Sequence, residues 1–421
     1  MRLAELGKQK IAIWGEGREG NVVARLLETE GREYSFISDA DKDDLEQFSV
    51  VIKSPGVSVY KPEIIRAKKN GVYFTSATNL FLAEAMCREK RPTLIGITGT
   101  KGKSTTSALT AHILSGLGYK TFLGGNFGTP LLEALPTLDV YDFIVAEVSS
   151  YQAADLECGF DAALVNNLYP EHLNWHLSHE KYYQDKLNIF ARTPKKIVNG
   201  ADAKLAEMTK DMQVIAFNVT DATEGFYLEN GDVYKGNVKY LSGTELPLPG
   251  AHNLANLCGA LTLIQALGVK AEPEKIAMIL SSFKPLPHRL QIVAKGDVCF
   301  VDDSISTTPE TAMAALDVFA GRPITLIAGG FDRGQDYAEL AKKIRQNNVK
   351  VVTLPDTGSR ICAEMQKCGG EAYEAADMAS AVRKAKEITP VGGVVLLSPA
   401  APSYGVYKNF EERGKAFAEL V

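Results

Sequence analysis

Short apolar runs followed by glycine-rich or hydroxyl-rich turns recur along this chain and predict parallel β-strands that alternate with helices. The first run covers residues 10–14 and enters the turn GEGREG, after which a helix is predicted over residues 21–30. Further apolar runs at residues 34–37 and 50–53 extend this first segment. Such alternation is typical of an α/β protein, in which ligands lie at the carboxyl ends of the strands.

The second segment carries the strongest motif, LIGITGTKGKSTT, over residues 94–106. An apolar run enters a glycine-rich turn, and a lysine and hydroxyl residues follow at the start of a predicted helix. Backbone N–H groups of such a loop bind phosphate oxygens, the lysine reaches the terminal phosphates, and the next hydroxyl is a Mg²⁺ ligand. The glycine spacing departs from the common one, so the loop is a variant. The residues of this predicted ATP site are Gly99, Thr100, Lys101, Gly102, Lys103, Ser104 and Thr105.

An acidic side chain follows the next apolar strand. Residues 142–148 read DFIVAEV and contain Glu147, with Ser149 directly after the run. In ATP-binding folds, a carboxylate at the end of a neighbouring strand is placed to act on Mg²⁺. We therefore predict Glu147 as a metal ligand, and the alternative is an ordinary glutamate at a strand end.

Three histidines, His172, His176 and His179, follow a strand predicted at residues 162–166. Their spacing lacks the glutamate of the H-E-x-x-H zinc motif, so we expect one histidine on Mg²⁺ or on a phosphate rather than a zinc site. Lys186 follows on a predicted helix. Its position alone predicts a solvated surface lysine.

Residues 200–248 alternate short β-like runs with turns, which predicts a peripheral antiparallel patch. The next predicted helix carries Asn253 and Asn256 on one face near its start, where their amides can hold a nucleotide or cap the helix. The prolines at 285 and 287 predict an interdomain linker, with Arg289 able to reach across it.

The third segment again alternates strands and helices. Its strands are predicted at residues 298–302, 324–328, 349–354 and 394–398. Hydroxyls, glycines and Arg333 follow the carboxyl ends of these strands, which suits an anionic small molecule.

Length and composition indicate a globular protein of several domains. The chain has 421 residues, of which 45% are hydrophobic and 23% charged, and its formal net charge of −5 argues against nucleic-acid binding. The chain shows neither a bilayer-spanning run nor signal-peptide features, so we expect no membrane insertion and a cytoplasmic location. The six scattered cysteines form no C-x-x-C pair and predict neither zinc nor disulfides. We predict a monomer with domains at residues 1–91, 92–284 and 285–421.

The GEGREG turn is compatible with two functions, a nicotinamide-dependent oxidoreductase and an ATP-dependent ligase. Gly15, Gly17 and Gly20 match G-x-G-x-x-G, and Asp39 lies where a dinucleotide-binding unit offers a carboxylate to a ribose. A nicotinamide-dependent oxidoreductase is therefore an alternative, although it leaves the phosphate loop without a role. An enzyme that joins two substrates with ATP uses all three segments, because ATP converts a carboxylate into an acyl phosphate that an amine attacks.

Many motifs, in the right order, make the chain similar to the Mur ligase family. Those quoted in addition to the phosphate loop are GGNFGTP (124–130), AEVSSYQ (146–152), EHLNWH (171–176), DKLNIF (185–190), GAHNLANL (250–257), LPHRLQ (286–291), DDSISTTP (302–309), GGFDRG (329–334) and LSPAAPSYGVYKNFEERG (397–414). The resemblance covers essentially the whole chain. It is greatest to members that add D-glutamate to UDP-N-acetylmuramoyl-L-alanine in peptidoglycan precursor synthesis.

This resemblance implies an amide ligase that uses ATP and Mg²⁺ and acts through an acyl phosphate. It also implies an N-terminal Rossmann-like domain that binds the UDP substrate, a central P-loop ATPase-like mononucleotide-binding domain, and a C-terminal Rossmann-like α/β domain that binds glutamate. A folylpolyglutamate-synthetase-like enzyme is disfavoured, because that family lacks a separate N-terminal diphosphate-binding domain. A non-catalytic nucleotide-binding regulator is disfavoured, because the implied catalytic residues are intact.

The resemblance implies roles for individual residues. The implied catalytic residues are Lys103, Glu147, His172 and Lys186. The implied metal ligands are Ser104, Glu147, His172 and a carbamate on Lys186. Asn253, Asn256, Arg289 and Asp303 complete the implied ATP site. The implied UDP-substrate residues are Gly15, Gly17, Arg18, Ser54, Asn126 and Ser149, and the implied glutamate-binding residues are Thr307, Arg333, Ser403 and Phe410.

Three departures from the D-glutamate ligase pattern fall in the implied acceptor site. Ile305 and Arg333 each stand where a lysine is usual, and Gly405 stands where an acid is usual. Arginine binds a carboxylate through two parallel hydrogen bonds, whereas lysine offers a point charge. The resemblance implies D-glutamate as the acceptor, and these departures make L-glutamate the alternative.

Overall fold

The computed structural model describes residues 1–171, 173–220, 224–246, 250–284 and 287–421. The chain divides into two compact units, Met1–Phe283 and Lys284–Val421. The α/β class predicted from the sequence is confirmed, since parallel sheets alternate with helices in both units. The first two predicted domains share one unit, and their separation stays a prediction.

A four-stranded parallel sheet opens the first unit. Its strands are β1 (Ile11–Trp14), β2 (Tyr34–Ile37), β3 (Val50–Lys53) and β4 (Tyr73–Thr75), and its helices are α1 (Arg18–Thr29), α2 (Pro62–Lys69) and α3 (Ala77–Met86). The strand order is β2-β1-β3-β4. Along β1, Ile11 and Ile13 pack in one hydrophobic cluster and Ala12 and Trp14 in another, so both faces of the strand are covered.

A six-stranded parallel sheet follows in the same unit. Its strands are β5 (Thr93–Thr98), β6 (Thr121–Gly125), β7 (Phe143–Glu147), β8 (Ala162–Val165), β9 (Lys195–Asn199) and β10 (Ile215–Phe217). The helices between them are α4 (Lys103–Gly116), α5 (Ser150–Ala153), α6 (Leu173–His176), α7 (His179–Leu187) and α8 (Ala203–Thr209). In the order β10-β9-β8-β5-β7-β6, the strand that enters the phosphate loop lies between the strands of Glu147 and Asn166.

One hydrophobic cluster joins these two sheets. Ile13 of β1 and Leu80 of α3 belong to the same buried cluster as Val165 of β8 and Leu135, which precedes β7. Shared burial of apolar surface holds the first unit together.

The predicted antiparallel patch over residues 200–248 is wrong in part. Among the residues of this stretch that the structure describes, only β11 (Phe226–Glu229), β12 (Asp232–Lys235) and β13 (Val238–Leu241) form an antiparallel sheet. The earlier residues supply α8 and β10, and β10 pairs parallel with β9. A three-residue edge strand is too short for its pattern to distinguish parallel from antiparallel pairing. The unit ends with α9 (Ala251–Ala266) and α10 (Pro273–Ser281).

The second unit is built on a six-stranded sheet. Its strands are β14 (Gln291–Lys295), β15 (Cys299–Asp302), β16 (Ile324–Gly330), β17 (Lys350–Asp356), β18 (Tyr373–Glu374) and β19 (Val394–Leu397). Its helices are α11 (Pro309–Val318), α12 (Ala338–Gln346), α13 (Gly358–Lys367), α14 (Met378–Ile388) and α15 (Phe410–Ala418). The order is β14-β15-β19-β16-β17-β18, and β14 alone pairs antiparallel. Within the described ranges, no helix is long and apolar enough to cross a membrane.

Candidate active site

The phosphate loop lies between β5 and α4, as predicted. Gly102 precedes the helix with φ +81°, a left-handed conformation that glycine adopts at little cost. A Cβ at Gly102 would lie 2.4 Å from Asn256 Oδ1, so Asn256 packs directly on the loop. Asn253 and Asn256 lie inside α9, whose N-cap is Gly250, and neither caps the helix.

Two asparagines that the sequence analysis did not single out hold the loop in place. Asn167 Oδ1 accepts a hydrogen bond from the Lys101 N–H at 2.7 Å, and its Nδ2 donates to the Lys101 carbonyl at 3.1 Å. Asn166 Nδ2 donates to Thr106 Oγ1 at 2.9 Å on α4. Both residues follow the apolar run of β8. Their position at a strand end is the same signal that identified Glu147.

The side chains of the loop are also held. Lys103 Nζ donates to the Thr100 carbonyl at 3.0 Å, and Thr100 Oγ1 lies 2.9 Å from the Tyr182 hydroxyl on α7. The Lys101 ammonium forms an ion pair with the Glu171 carboxylate. The loop is therefore fixed in its shape by both its backbone and its side chains.

Lys186 lies buried against this loop. Its side chain has a relative exposure of 1%, and Nζ donates to the Gly99 carbonyl at 3.1 Å. Burial lowers the pKa of Lys186 well below its ordinary value, and the nearby Lys103 ammonium lowers it further. The surface position expected from the helix pattern is wrong, because α7 packs this face into the core beneath the loop.

Glu147 ends β7 with a buried carboxylate. Oε1 accepts from Asn126 Nδ2 at 2.7 Å, whereas Oε2 is buried and accepts from no group in the described part of the chain. A buried carboxylate oxygen left without a partner is costly, and a bound divalent cation satisfies it. The oxygen therefore fits a Mg²⁺ ligand.

The rest of the predicted metal site is less fully described. His172 lies outside the described residues, and Ser104 is buried in the first turn of α4. Among the described residues, no cluster of three or more histidine, cysteine, aspartate or glutamate side chains forms a metal site. Of the side chains that the structure does describe, a metal beside the phosphate loop would be bound by Glu147, by the Ser104 hydroxyl and by a carbamate on Lys186.

A cavity of ≈ 180 Å³ lies between the GEGREG turn and the loop after β6. Of the predicted UDP-substrate residues, Gly17, Arg18, Ser54 and Asn126 line it, and it adjoins the N-terminus of α1. Such an N-terminus favours phosphate. Gly15 lies beside it and accepts a hydrogen bond from Ser54 Oγ at 3.4 Å.

Ser149 is joined to the same cavity through Gln152. Ser149 caps α5 and hydrogen-bonds Gln152, whose Nε2 donates to Glu19 Oε1 at 2.7 Å. Glu19 lines the cavity, and burial raises the pKa of its carboxyl to about 7. The pair Gln152 and Glu19 was not predicted, since only the fold brings α1 and α5 together.

Asp39, on which the oxidoreductase alternative depends, is engaged elsewhere. Its Oδ1 accepts from Trp14 Nε1 at 3.2 Å and from Lys61 Nζ at 2.9 Å. The Asp39 side chain, just beyond β2, is 70% exposed, and these bonds join it to β1 and to Lys61.

In the second unit, Asp303 follows β15 in a buried position. Its Oδ1 accepts from the Leu290 N–H at 3.2 Å, and its Oδ2 accepts from Ser398 Oγ at 2.7 Å. Burial raises the pKa of Asp303 to about 6, and the Arg289 guanidinium acts in the opposite direction. Arg289 and Asp303 are thus neighbours, although Pro285 and Leu286 of the predicted linker lie outside the described residues.

Three of the predicted glutamate-binding residues lie in the loops after strands of this unit, and Phe410 begins α15. The Arg333 guanidinium lies over the Tyr404 ring, 5.3 Å from its centroid, and Tyr404 follows the buried Ser403. The carbonyl of Thr307 accepts from Gln335 Nε2 at 3.1 Å, and the carbonyl of Phe410 accepts from Ser304 Oγ at 2.8 Å. Tyr404 was not predicted, and its ring offers Arg333 a cation–π contact.

Comparison with known proteins identifies relatives over the whole chain. The family model for the Mur ligase middle domain matches residues 97–264, and that for the Mur ligase glutamate ligase domain matches residues 288–401. A relative from Micromonospora sp. is 39% identical and one from Salinispora tropica is 38% identical. Both are named UDP-N-acetylmuramoyl-L-alanine--L-glutamate ligase, and the alignments cover 100% of this chain and 98% and 99% of the relatives.

A solved structure supports the fold independently. UDP-N-acetylmuramate-alanine ligase MurC from Thermotoga maritima superposes with a TM-score of 0.63 over 98% of both chains, at 22% sequence identity. Likeness at that identity shows the fold alone, whereas the relatives at 38–39% identity over full length show the family. The chain belongs to the Mur ligase family.

Proposed function

We propose that this chain uses ATP to form an amide bond between the alanyl carboxylate of UDP-N-acetylmuramoyl-L-alanine and the amino group of L-glutamate. The names of the two full-length relatives support L-glutamate over the D-glutamate predicted from the motifs. The substitutions Ile305, Arg333 and Gly405, all in the candidate acceptor site, agree with a changed acceptor. The family assignment favours this ligase over the nicotinamide-dependent oxidoreductase.

The observation that carries the proposal is the buried amine of Lys186 against the phosphate loop. An uncharged amine attacks the carbon of CO₂, loses a proton and becomes a carbamate, and the lowered pKa of Lys186 supplies that uncharged form. The product is an anionic oxygen ligand beside the loop. Such an oxygen ligand would bind a metal ion that also contacts the ATP phosphates.

The loop and Lys103 would bind the ATP phosphates, and Asn253, Asn256, Arg289 and Asp303 would complete the nucleotide site. Bound Mg²⁺ would neutralise phosphate charge, held by Ser104, Glu147, His172 and the Lys186 carbamate. The alanyl carboxylate attacks the γ-phosphorus, ADP leaves, and an acyl phosphate forms. Lys103 stabilises the charge on the transferred phosphoryl group.

The second half of the reaction needs the acceptor. The uncharged amine of glutamate attacks the acyl carbonyl and loses a proton, and phosphate leaves with the electrons of the broken C–O bond and takes up that proton. Thr307, Arg333, Ser403 and Phe410 would hold the amino acid. The planar guanidinium of Arg333 suits a carboxylate through two parallel hydrogen bonds.

The nucleotide-sugar substrate would bind at the ≈ 180 Å³ cavity in the first unit. Gly15, Gly17, Arg18 and Ser54 would receive the diphosphate at the start of α1, and Asn126 and Ser149 would touch the muramoyl part. On this assignment, residues 1–91 bind the UDP substrate, residues 92–284 bind ATP, and residues 285–421 bind glutamate.

Parallel assays with the two glutamate enantiomers test the proposal. Reactions contain ATP, Mg²⁺, UDP-N-acetylmuramoyl-L-alanine and either enantiomer, and both phosphate release and the mass of the nucleotide product are followed. We expect release and product with L-glutamate. Product with D-glutamate alone would overturn the acceptor assignment, and product with neither would overturn the proposed substrates.

A further inference from the structure

Ser150, His176 and Asp185 form a buried hydrogen-bonded chain beside the candidate active site. His176 is 0% exposed, its Nδ1 lies 2.6 Å from Asp185 Oδ2, and its Nε2 lies 3.0 Å from Ser150 Oγ. An ionised carboxylate only accepts hydrogen bonds, so Nδ1–H donates to Asp185 and Nε2 accepts from the Ser150 hydroxyl. The imidazole is therefore fixed at both ring nitrogens.

The two partners of His176 belong to elements that carry candidate catalytic residues. Asp185 directly precedes Lys186 on α7, and Ser150 begins α5, the helix that follows Glu147. His176 itself ends α6. Its ring thus joins α7, which carries Lys186, to α5, which follows the strand of Glu147.

Aromatic rings pack around the His176 side chain in addition to its hydrogen bonds. The ring stacks on Tyr151 at a centroid distance of 5.5 Å, and it meets Tyr182 edge-on at 5.1 Å. The ring of Trp175 lies 4.4 Å away. A side chain of similar size can therefore occupy this site, and the hydrogen bonds serve orientation rather than bulk packing.

The same chain of contacts reaches the first sheet and the cavity. The Tyr60 hydroxyl donates to the other oxygen of Asp185, Oδ1, at 2.5 Å. Trp175 Nε1 donates to the carbonyl of Pro55 at 3.1 Å, and Pro55 lines the cavity. Asp185 is held from two directions, and α7 has little freedom to rotate.

We propose that His176 is a positioning residue for Lys186. By binding Asp185 it sets the rotation of α7, and this rotation keeps Lys186 Nζ at the Gly99 carbonyl, where the amine faces the phosphate loop. The inference rests on the proposed function, in which Lys186 carries a carbamate. Partners that orient a metal-binding group in this way affect activity about 10- to 100-fold when they are removed.

Two amide substitutions separate the hydrogen bonds of His176. The amide of His176→Asn reaches the position of Nδ1 and can still donate to Asp185, whereas the longer His176→Gln reaches the position of Nε2 and leaves Asp185 without this donor. We expect kcat of His176→Gln to fall about 10- to 100-fold with the KM for ATP unchanged, and kcat of His176→Asn to stay within about 3-fold of wild type. His179→Gln, a substitution at the partly exposed start of α7, is the matched control.

Carbamate on Lys186 is measured directly by ¹³C NMR in ¹³C-labelled bicarbonate, alongside the melting temperature of each variant. The inference predicts that the carbamate signal is lost in His176→Gln and kept in His176→Asn and His179→Gln, at similar melting temperatures. Wild-type kcat and carbamate in His176→Gln, or equal losses in both variants at position 176, would overturn it. A wild-type enzyme that turns over without any carbamate signal would instead overturn the carbamate step of the proposed function, and the order of kcat in the two variants would still decide the role of His176.

Discussion

Two buried ionisable side chains, Lys186 and Glu19, lower the stability of the folded chain and lie at proposed binding sites. Burial disfavours the charged form of each, so the pKa of the lysine is lowered and the pKa of the glutamic acid is raised. Each lies where a substrate or phosphate group is proposed to bind. Removal of either charge is therefore expected to stabilise the fold while it alters function.

Lys186→Met is expected to abolish turnover without destabilising the protein. Between the lowered pKa and 10.5, the unfolded chain binds a proton at Lys186 that the folded chain does not, so wild-type stability rises with pH across this window. In CO₂-free buffer at neutral pH, the variant should be more stable than wild type, because unfolding of the wild type lets Lys186 take up a proton that the folded chain does not bind. Denaturant unfolding measures the difference, which should narrow toward pH 10. A less stable Lys186→Met variant would contradict this account, and Lys204→Met, at a lysine that is 42% exposed, is the control.

Glu19→Gln is expected to change the pH dependence of stability. The folded protein keeps the Glu19 proton up to about pH 7, whereas the unfolded chain loses it near 4.5, so wild-type stability falls as pH rises between these values. The amide still accepts from Gln152 and carries no charge. The variant should therefore gain about 2 kcal/mol over wild type as pH rises from 5 to 8. A gain that does not depend on pH would contradict the assignment, and Glu16→Gln in the same turn, at an exposed position, is the control.

At the scale of elements, the site depends on turns at the ends of parallel strands. The loop after β5, the carboxylate that ends β7 and the two asparagines after β8 come from strands that lie side by side. Their carboxyl ends meet at one edge of the sheet, as in other α/β proteins. The phosphate loop is rigid because glycine geometry and the Asn166 and Asn167 amides both fix it.

Gly102→Ala is expected to impair ATP use more than stability. The new Cβ would require a left-handed alanine and would press on Asn256, which displaces the loop. A misplacement of about 1 Å lowers turnover about 100-fold. Gly118→Ala is the matched control, since Gly118 also has a positive φ of +98° but an added Cβ meets no atom within 4 Å. Steady-state kinetics with ATP should show the loss in Gly102→Ala only; similar kinetics for the two variants would contradict the role of the loop contact.

Strand positions were predictable where an apolar run is followed by a glycine-rich or polar turn. β1, β3, β5, β7 and β8 lie where the apolar runs predict them, because strands covered on both faces must be continuously apolar. β10 and the burial of Lys186 were not predictable from the residues, because both depend on packing against elements distant in the chain. The contacts of Glu19 with Gln152 and of Tyr60 with Asp185 likewise exist only in the folded protein.

At the scale of the whole molecule, we propose that one unit activates the substrate carboxylate and the other binds the acceptor. The phosphate loop, Lys186, Glu147 and the cavity belong to Met1–Phe283, while Arg333 and Ser403 belong to Lys284–Val421. The chemistry proposed for the first unit is the transfer of phosphate to a carboxylate. During that transfer an oxygen atom of the carboxylate becomes bonded to phosphorus, which does not happen when ATP is simply hydrolysed by water.

The most direct test uses UDP-N-acetylmuramoyl-L-alanine labelled with ¹⁸O in both oxygens of its alanyl carboxylate, together with ATP, Mg²⁺ and L-glutamate. If the carboxylate attacks the γ-phosphorus, one labelled oxygen leaves with phosphate when the glutamate amine attacks. The account predicts that the released phosphate carries one ¹⁸O atom and that the amide product retains the other. Unlabelled phosphate released with product formation would contradict an acyl phosphate, and with it the central claim that this loop and Lys186 activate a carboxylate.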